Sequence, residues 1–99
     1  MPYVGREAAS FTTVVDVTVA DDLTVGGDYK SNTAGTSNLR LGVNAGNSIE
    51  SGGNYNVCIG DEAGTALTTG DGNTMVGYNA GNALVAGYNN VGIGIHALS

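Results

Sequence analysis

Few residues of this chain have the types and spacing that catalysis requires. His96 is the only histidine, with no Cys, Asp or Glu at metal-ligand spacing, so we expect a structural or solvent-facing role for it. Cys58 is the only cysteine, which excludes an intrachain disulfide and, without a basic neighbour, predicts a packed thiol. Asp61 and Glu62 are adjacent and indicate a solvated turn rather than an acid/base pair. We therefore expect no enzyme activity, no catalytic residue, no metal and no cofactor.

Two glycine-rich stretches, 52–54 and 70–73, raise the question of ligand-binding repeats. Calcium-binding β-rolls need an Asp every nine residues, but equivalent positions here hold Asn, Thr or Ala. The hexapeptide helix of acyltransferases needs an aliphatic residue every six positions, and that register fails when counted from Leu41. A phosphate-binding loop with its Lys is also missing. The pattern thus favours neither calcium binding nor acyl transfer.

Three tyrosines are the remaining candidates for ligand contact. Tyr78 follows a glycine of the repeat described below, whereas Tyr55 and Tyr88 precede an Asn of that repeat or lie near it. Exposed Tyr and Asn on turns offer carbohydrate an apolar face and hydrogen bonds. Tyr55, Tyr78 and Tyr88 are therefore possible glycan contacts. Rim packing between neighbouring coils or subunits is the alternative that the sequence favours.

Composition excludes several classes of protein. The 99 residues include 17 Gly, 11 Asn, 11 Ala and 10 Thr. Gly lacks the three-residue period of collagen, and 12% charged with 41% hydrophobic residues argues against disorder. A net charge of −6 opposes nucleic acid or anionic membranes as partners, and no apolar run reaches membrane-spanning length. Without a secretory signal at its N-terminus, we expect synthesis in a cytoplasm and no membrane insertion.

A repeat of the form N-x-x-[LIV]-G-x-x-A-G-x-x-[IL]-x-x-G organises the second half of the chain. Its copies start 18, 17 and 17 residues apart, at Asn38, Asn56, Asn73 and Asn90. The glycines that close the first segment of each copy are Gly42, Gly60, Gly77 and Gly94. This pattern predicts an all-β fold, a parallel β-roll or β-helix of 17–18-residue two-strand coils, over 38–99. Asn is expected to form a side-chain ladder along the stack.

The faces of the predicted strands follow from their alternation. The Ala column Ala45/Ala63/Ala80/Ala97 and the Ile49/Leu67/Leu84 column are expected inside. So are two columns of the first strand, Leu39/Val57/Thr74/Val91 and Leu41/Ile59/Val76/Ile93. The column between them, Arg40/Cys58/Met75/Gly92, is expected to face outward and to make a subunit contact at its C-terminal end. A shorter second strand is expected around Ile49, Leu67 and Leu84.

The first 37 residues differ from the array. Residues 14–19 alternate as a strand, and 16–21 and 22–27 are two copies of a D-[VL]-T-V unit. We therefore expect an N-terminal β segment and linker over 1–37.

The N-x-x-[LIV]-G-x-x-A-G columns resemble repeats of phage tail-fibre and related virion fibre proteins. They are also similar to the head domains of trimeric autotransporter adhesins. This resemblance covers about 14–99 and implies a homotrimer of β-rolls, intertwined or side by side. It implies a structural component of a tail fibre or similar virion appendage, in contact with other virion proteins and with a role in host-surface attachment. A glycan-binding surface adhesin, or a capsid-decoration fibre, is the alternative.

Overall fold

The computed structural model describes residues 18–24, 26–27 and 31–99. Most of the strand predicted at 14–19 lies outside these residues, as do positions 16, 17 and 25 of the two D-[VL]-T-V units. The described part of that segment, 18–24, contains no strand.

Four short strands form one parallel sheet, and they occupy equivalent positions in the four repeats. The strands are β1 (Leu39–Leu41), β2 (Val57–Ile59), β3 (Thr74–Val76) and β4 (Val91–Ile93), in the order β1-β2-β3-β4. Each residue pairs with its counterpart one repeat on, as Leu39 does with Val57 and Cys58 with Met75. The described residues contain no helix. The predicted all-β class is therefore confirmed, as is the parallel pairing of equivalent segments.

Backbone hydrogen bonds join successive repeats outside the sheet as well. The Gly64 N–H donates to the Ala80 carbonyl at 2.8 Å, and the Thr68 N–H donates to the Val85 carbonyl at 2.8 Å. At the approach to the strands, the Gly72 N–H donates to the Asn54 carbonyl at 2.9 Å. Equivalent residues are thus held in register at several points of each repeat.

The second strand predicted around Ile49, Leu67 and Leu84 is wrong: none of these residues lies in a strand. Consecutive turns replace it, as shown by the Ile49 N–H donating to the Gly46 carbonyl at 3.3 Å and the Leu67 N–H to the Gly64 carbonyl at 3.1 Å. Gly46 and Gly64 have φ of 56° and 61°. This left-handed conformation is easy for glycine and breaks an extended strand, because it reverses the local chain direction.

The predicted faces of the strands are also wrong. Cys58 and Met75, expected outside, are fully buried. Val91 and Ile93, expected inside, are 67% and 69% exposed. The column Arg40/Cys58/Met75/Gly92 therefore faces inward, and the two columns that flank it face outward.

The physical reason is the Asn that precedes each strand. Asn56 and Asn73 are fully buried, and the Asn56 side-chain oxygen accepts from the Asn73 backbone N–H at 2.9 Å and from its side-chain amide at 3.0 Å. The Asn56 amide also donates to the Gly70 carbonyl at 2.8 Å. Because side chains alternate along a strand, an inward Asn56 sends Val57 out, Cys58 in and Ile59 out. The amide ladder, not the distribution of large apolar side chains, sets the faces.

At one place in the core, a side chain on the strand and a side chain at a later position of the repeat exclude one another. A Cβ at Gly64 would lie 2.6 Å from the Cys58 Sγ, so a side chain at the strand position excludes one at the glycine position. The fourth repeat reverses this arrangement. Its strand holds Gly92, and the position equivalent to Gly64 holds Leu98, with φ of 57°. A Cβ at Gly92 would lie 2.9 Å from the Leu98 Cδ1. One side chain therefore fills this space in the second and fourth repeats, from opposite positions.

We expect Asn56→Ala to destabilise the protein by about 2–4 kcal/mol, because it leaves the Gly70 carbonyl and the Asn73 N–H without their buried partner. Asn82→Ala is the matched control: the Asn82 side chain is half-buried and makes no hydrogen bond among the described residues, so a change within about 0.5 kcal/mol is expected. Urea unfolding at one fixed protein concentration measures both. Equal losses for the two variants would contradict the ladder as the main constraint.

Candidate functional site

The outward side of the sheet is an apolar surface with no charged residue. We call it the outer sheet face, made of Leu39, Leu41, Val57, Ile59, Thr74, Val76, Val91 and Ile93. Exposure is largest at β4, and Leu41 is 45% exposed at β1. A contiguous apolar strip on a chain with a net charge of −6 is the kind of surface that binds another protein surface.

The repeat residues lie inside the array and hold it together. Asn38 is 7% exposed, and its side-chain oxygen accepts from the Asn56 N–H at 2.8 Å. Asn90 continues the same ladder onto Asn73, with its side-chain amide donating at 3.1 Å. Gly60, with φ of 122°, stacks so closely on Gly77 that an added Cβ would lie 2.8 Å from a backbone carbon. These residues serve packing and present no group to a ligand.

The three candidate tyrosines lie at two different turns. Tyr78 lies at the turn after β3 and packs edge-on against His96, with ring centroids 5.5 Å apart and planes at 72°. Tyr55 and Tyr88 instead lie at the turns before β2 and β4, near the N-terminal ends of those strands. All three side chains are at least half exposed. The tyrosines therefore do not form one combined site.

Tyr55 is held in a conformation that an aromatic residue seldom adopts. Its φ is 60°, and the residues at the equivalent position of the next two repeats, Gly72 and Asn89, have φ of 70° and 55°. Gly and Asn tolerate this left-handed region, whereas a tyrosine there is strained. The Tyr55 side chain is 66% exposed, so no core packing compensates for that strain. Composition alone did not reveal this, but aligning the repeats places Tyr55 in a column of turn-forming residues.

The titratable side chains of the array serve its turns. The Asp61 carboxylate accepts from the Val43 N–H at 3.1 Å, and the Glu62 carboxylate accepts from the Asn44 side-chain amide at 2.9 Å. Each of these bonds joins the first repeat to the second. Asp61 and Glu62 thus lie at a turn, as predicted, and their hydrogen bonds link neighbouring repeats.

The Cys58 thiol has a perturbed acidity. Burial raises its pKa from the ordinary 9.0 to about 11, and the positive charge of Arg40 lowers it by a smaller amount. The neutral thiol is therefore the form that packs against Gly64, and this position provides no thiolate nucleophile at neutral pH.

Within the described part of the chain, no group of three or more His, Cys, Asp or Glu could hold a metal ion. No helix there is long and apolar enough to cross a membrane. No protein-family model, curated protein or solved structure matches this chain.

We expect native Cys58 to resist alkylation by iodoacetamide at pH 8 and to react fully after unfolding, since the thiol is buried and protonated. The control is the double variant Cys58→Ala/Ser48→Cys, which places a thiol at an exposed turn and should react in the native state. Mass spectrometry of the alkylated chain reads both. Rapid modification of native Cys58 would contradict the inward column.

The same thiol predicts a pH dependence of stability. Its folded pKa of about 11 lies above its unfolded value of 9.0, so the stabilisation is complete below pH 9 and is lost as pH rises through 11. Relative to Cys58→Ala, the wild type should therefore lose stability between pH 9 and 11. Parallel curves for the two proteins in that range, measured by urea unfolding, would contradict the raised pKa.

Proposed function

We propose that this chain is a non-enzymatic structural component of a phage tail fibre or similar virion appendage. Its repeats form a β-roll that extends by about 4.8 Å per repeat, the spacing of hydrogen-bonded strands. Such an array provides length and stiffness, because every repeat is bonded to the next along its whole path. The single observation that carries the proposal is the outer sheet face, a mainly apolar strip across all four repeats that is half-buried at β2 and β3 and most exposed at β4.

A second and a third copy of the chain are the partners that this strip fits best. Its apolar side chains recur once per repeat, so a copy in parallel alignment presents the same chemistry at the same spacing along the whole array. The negative net charge of the chain does not prevent this contact, because the outer sheet face itself carries no charge. The resemblance to virion fibres sets the number of copies at three. The subunit contact thus uses the two flanking columns and not the Arg40/Cys58/Met75/Gly92 column.

In this arrangement, burial of the outer sheet face supplies the core that a short chain lacks. Each apolar side chain removed from water contributes about 25 cal/mol of stabilising free energy per Å² of its buried area. The inner core, by contrast, holds few large side chains, with Leu67 and Met75 the largest of those fully buried. Assembly and stability are therefore coupled.

We expect light scattering at micromolar concentration to give about three times the chain mass of 9.9 kDa. Val76→Asp should shift the mass to that of the monomer, because it places three carboxylates in the proposed interface. Val85→Asp is the matched control: Val85 is 53% exposed, lies outside the outer sheet face, and its replacement should leave the mass unchanged.

A monomeric wild type, or equal effects of the two substitutions, would contradict the trimer. Placement in the particle is tested separately by immunogold labelling of virions with an antibody against this chain. Labelling of tail fibres supports the main proposal, and labelling of the capsid surface supports the decoration-fibre alternative. Absence of label from assembled particles contradicts both.

A glycan-binding adhesin is the second candidate function, favoured by the strained and exposed Tyr55. Because Asn suits the left-handed region, Tyr55→Asn should stabilise the protein by about 0.5–1 kcal/mol while weakening binding to host surface polysaccharide. Tyr88→Asn is the control for strain, since the φ of Tyr88 is not positive and no stability gain is expected. Urea unfolding and glycan-array binding measure the two effects. Unchanged glycan binding of Tyr55→Asn would contradict a recognition role for this residue.

A further inference from the structure

A cavity of about 410 Å³ opens beside the first repeat. Its lining among the described residues includes Arg40, Asn44, Asn47, Asn32 and Ser31. This volume lies within the range of small-molecule sites in proteins. Most such sites are largely apolar, whereas this lining is rich in side-chain amides, which indicates a polar ligand.

Arg40 gives the cavity its charge. It belongs to the inward column, in register with Cys58, and is the only Lys or Arg in the described part of the chain. Its backbone is fixed by Ser31, whose hydroxyl accepts from the Arg40 N–H at 2.8 Å. The cation is thus attached to a strand whose position is set on both sides, by β2 and by Ser31.

The Arg40 side chain does not fill the core as its counterparts do. In the second repeat the atom nearest to an added Cβ at Gly64 belongs to Cys58, and in the third repeat the atom nearest to an added Cβ at Gly81 belongs to Met75. Both strand residues therefore fill the space beside the glycine of their own repeat. At Gly46 the three nearest atoms instead belong to Ile49 and Cys58, not to Arg40. Its guanidinium makes no hydrogen bond with another described residue, and no buried side-chain nitrogen there lacks a partner. Arg40 is half-buried and lines the cavity, and no described residue occupies its five guanidinium N–H donors.

The neighbouring amides offer both donors and acceptors. The Asn44 side-chain nitrogen is occupied by Glu62 at 2.9 Å, so Asn44 presents its carbonyl oxygen as an acceptor. The Asn47 side-chain oxygen accepts from the Ser48 hydroxyl at 3.4 Å, and the Asn47 nitrogen is left as a donor. A cation that lines the same cavity as one acceptor and one donor matches a molecule that carries an anionic group and hydroxyls together.

We propose that this cavity binds an acidic monosaccharide, with the Arg40 guanidinium paired to its carboxylate and the amides of Asn44 and Asn47 bonded to its hydroxyls. Arg suits a carboxylate because its planar fork can donate two parallel hydrogen bonds. The net charge of −6 opposes unspecific anion binding to the rest of the surface, so the selectivity must come from the cavity. The site needs one chain only and therefore stands independently of the trimer.

The test is a titration of the full chain, labelled with ¹⁵N, with glucuronate, glucose and acetate at constant ionic strength. We expect glucuronate to shift the Arg40 Nε–H and Asn47 side-chain signals saturably, with at least about tenfold higher affinity than either glucose or acetate. Equal affinity for glucose and glucuronate would overturn the role of the charge. Equal affinity for acetate and glucuronate would overturn the sugar assignment. Absence of a saturable shift would overturn the site.

Substitutions distinguish binding in the cavity from general effects on folding. Arg40→Gln should weaken glucuronate binding at least about tenfold, and Asn47→Ala should weaken it while leaving a folded spectrum; Asn82→Ala should leave it unchanged. If Arg40→Gln does not fold, Asn47→Ala decides, and wild-type affinity of that variant overturns the proposal.

Discussion

The buried amide ladder is the interaction on which the rest of this structure depends. Asn56 and Asn73 each satisfy their neighbour's backbone and side chain through hydrogen bonds that water cannot replace, because both residues are fully buried. Such bonds are costly to leave unmade, so the Asn must point inward in every repeat. Alternation along a three-residue strand then leaves no freedom: the central residue is inside and both flanking residues are outside.

This constraint explains why the Val, Leu and Ile side chains of the strands face outward, although Leu67 and Met75 are fully buried in the core. Space inside the array is limited by the Asn ladder, by the Ala residues Ala45, Ala63 and Ala80, and by glycines that allow no Cβ. Val, Leu and Ile are left on the outer sheet face. In the trimer that we propose, these side chains form the interface between copies of the chain. The proposed assembly is therefore a consequence of the ladder rather than a separate feature.

The inward column has a different environment in each part of the array. At β2 and β3 it holds Cys58 and Met75 in a dry core, and at β4 it holds Gly92, beside which Leu98 supplies the missing volume. At β1 the same position holds Arg40, which lines a polar cavity. A repeat that is uniform in backbone thus carries three chemically distinct positions, and the charged one is the candidate for ligand binding.

The sequence by itself determined the all-β class, the start of each repeat and the residue-by-residue pairing of the strands, because backbone register follows directly from the 17- and 18-residue spacing. It also pointed to Asn38, Asn56, Asn73 and Asn90 as a ladder. Only the tertiary structure decided which side of each strand is inside, that turns replace the second strand, and that Arg40 borders a cavity. Hydrophobic alternation is symmetric between the two faces, and only the depth of the Asn side chains, a contact between repeats, breaks that symmetry.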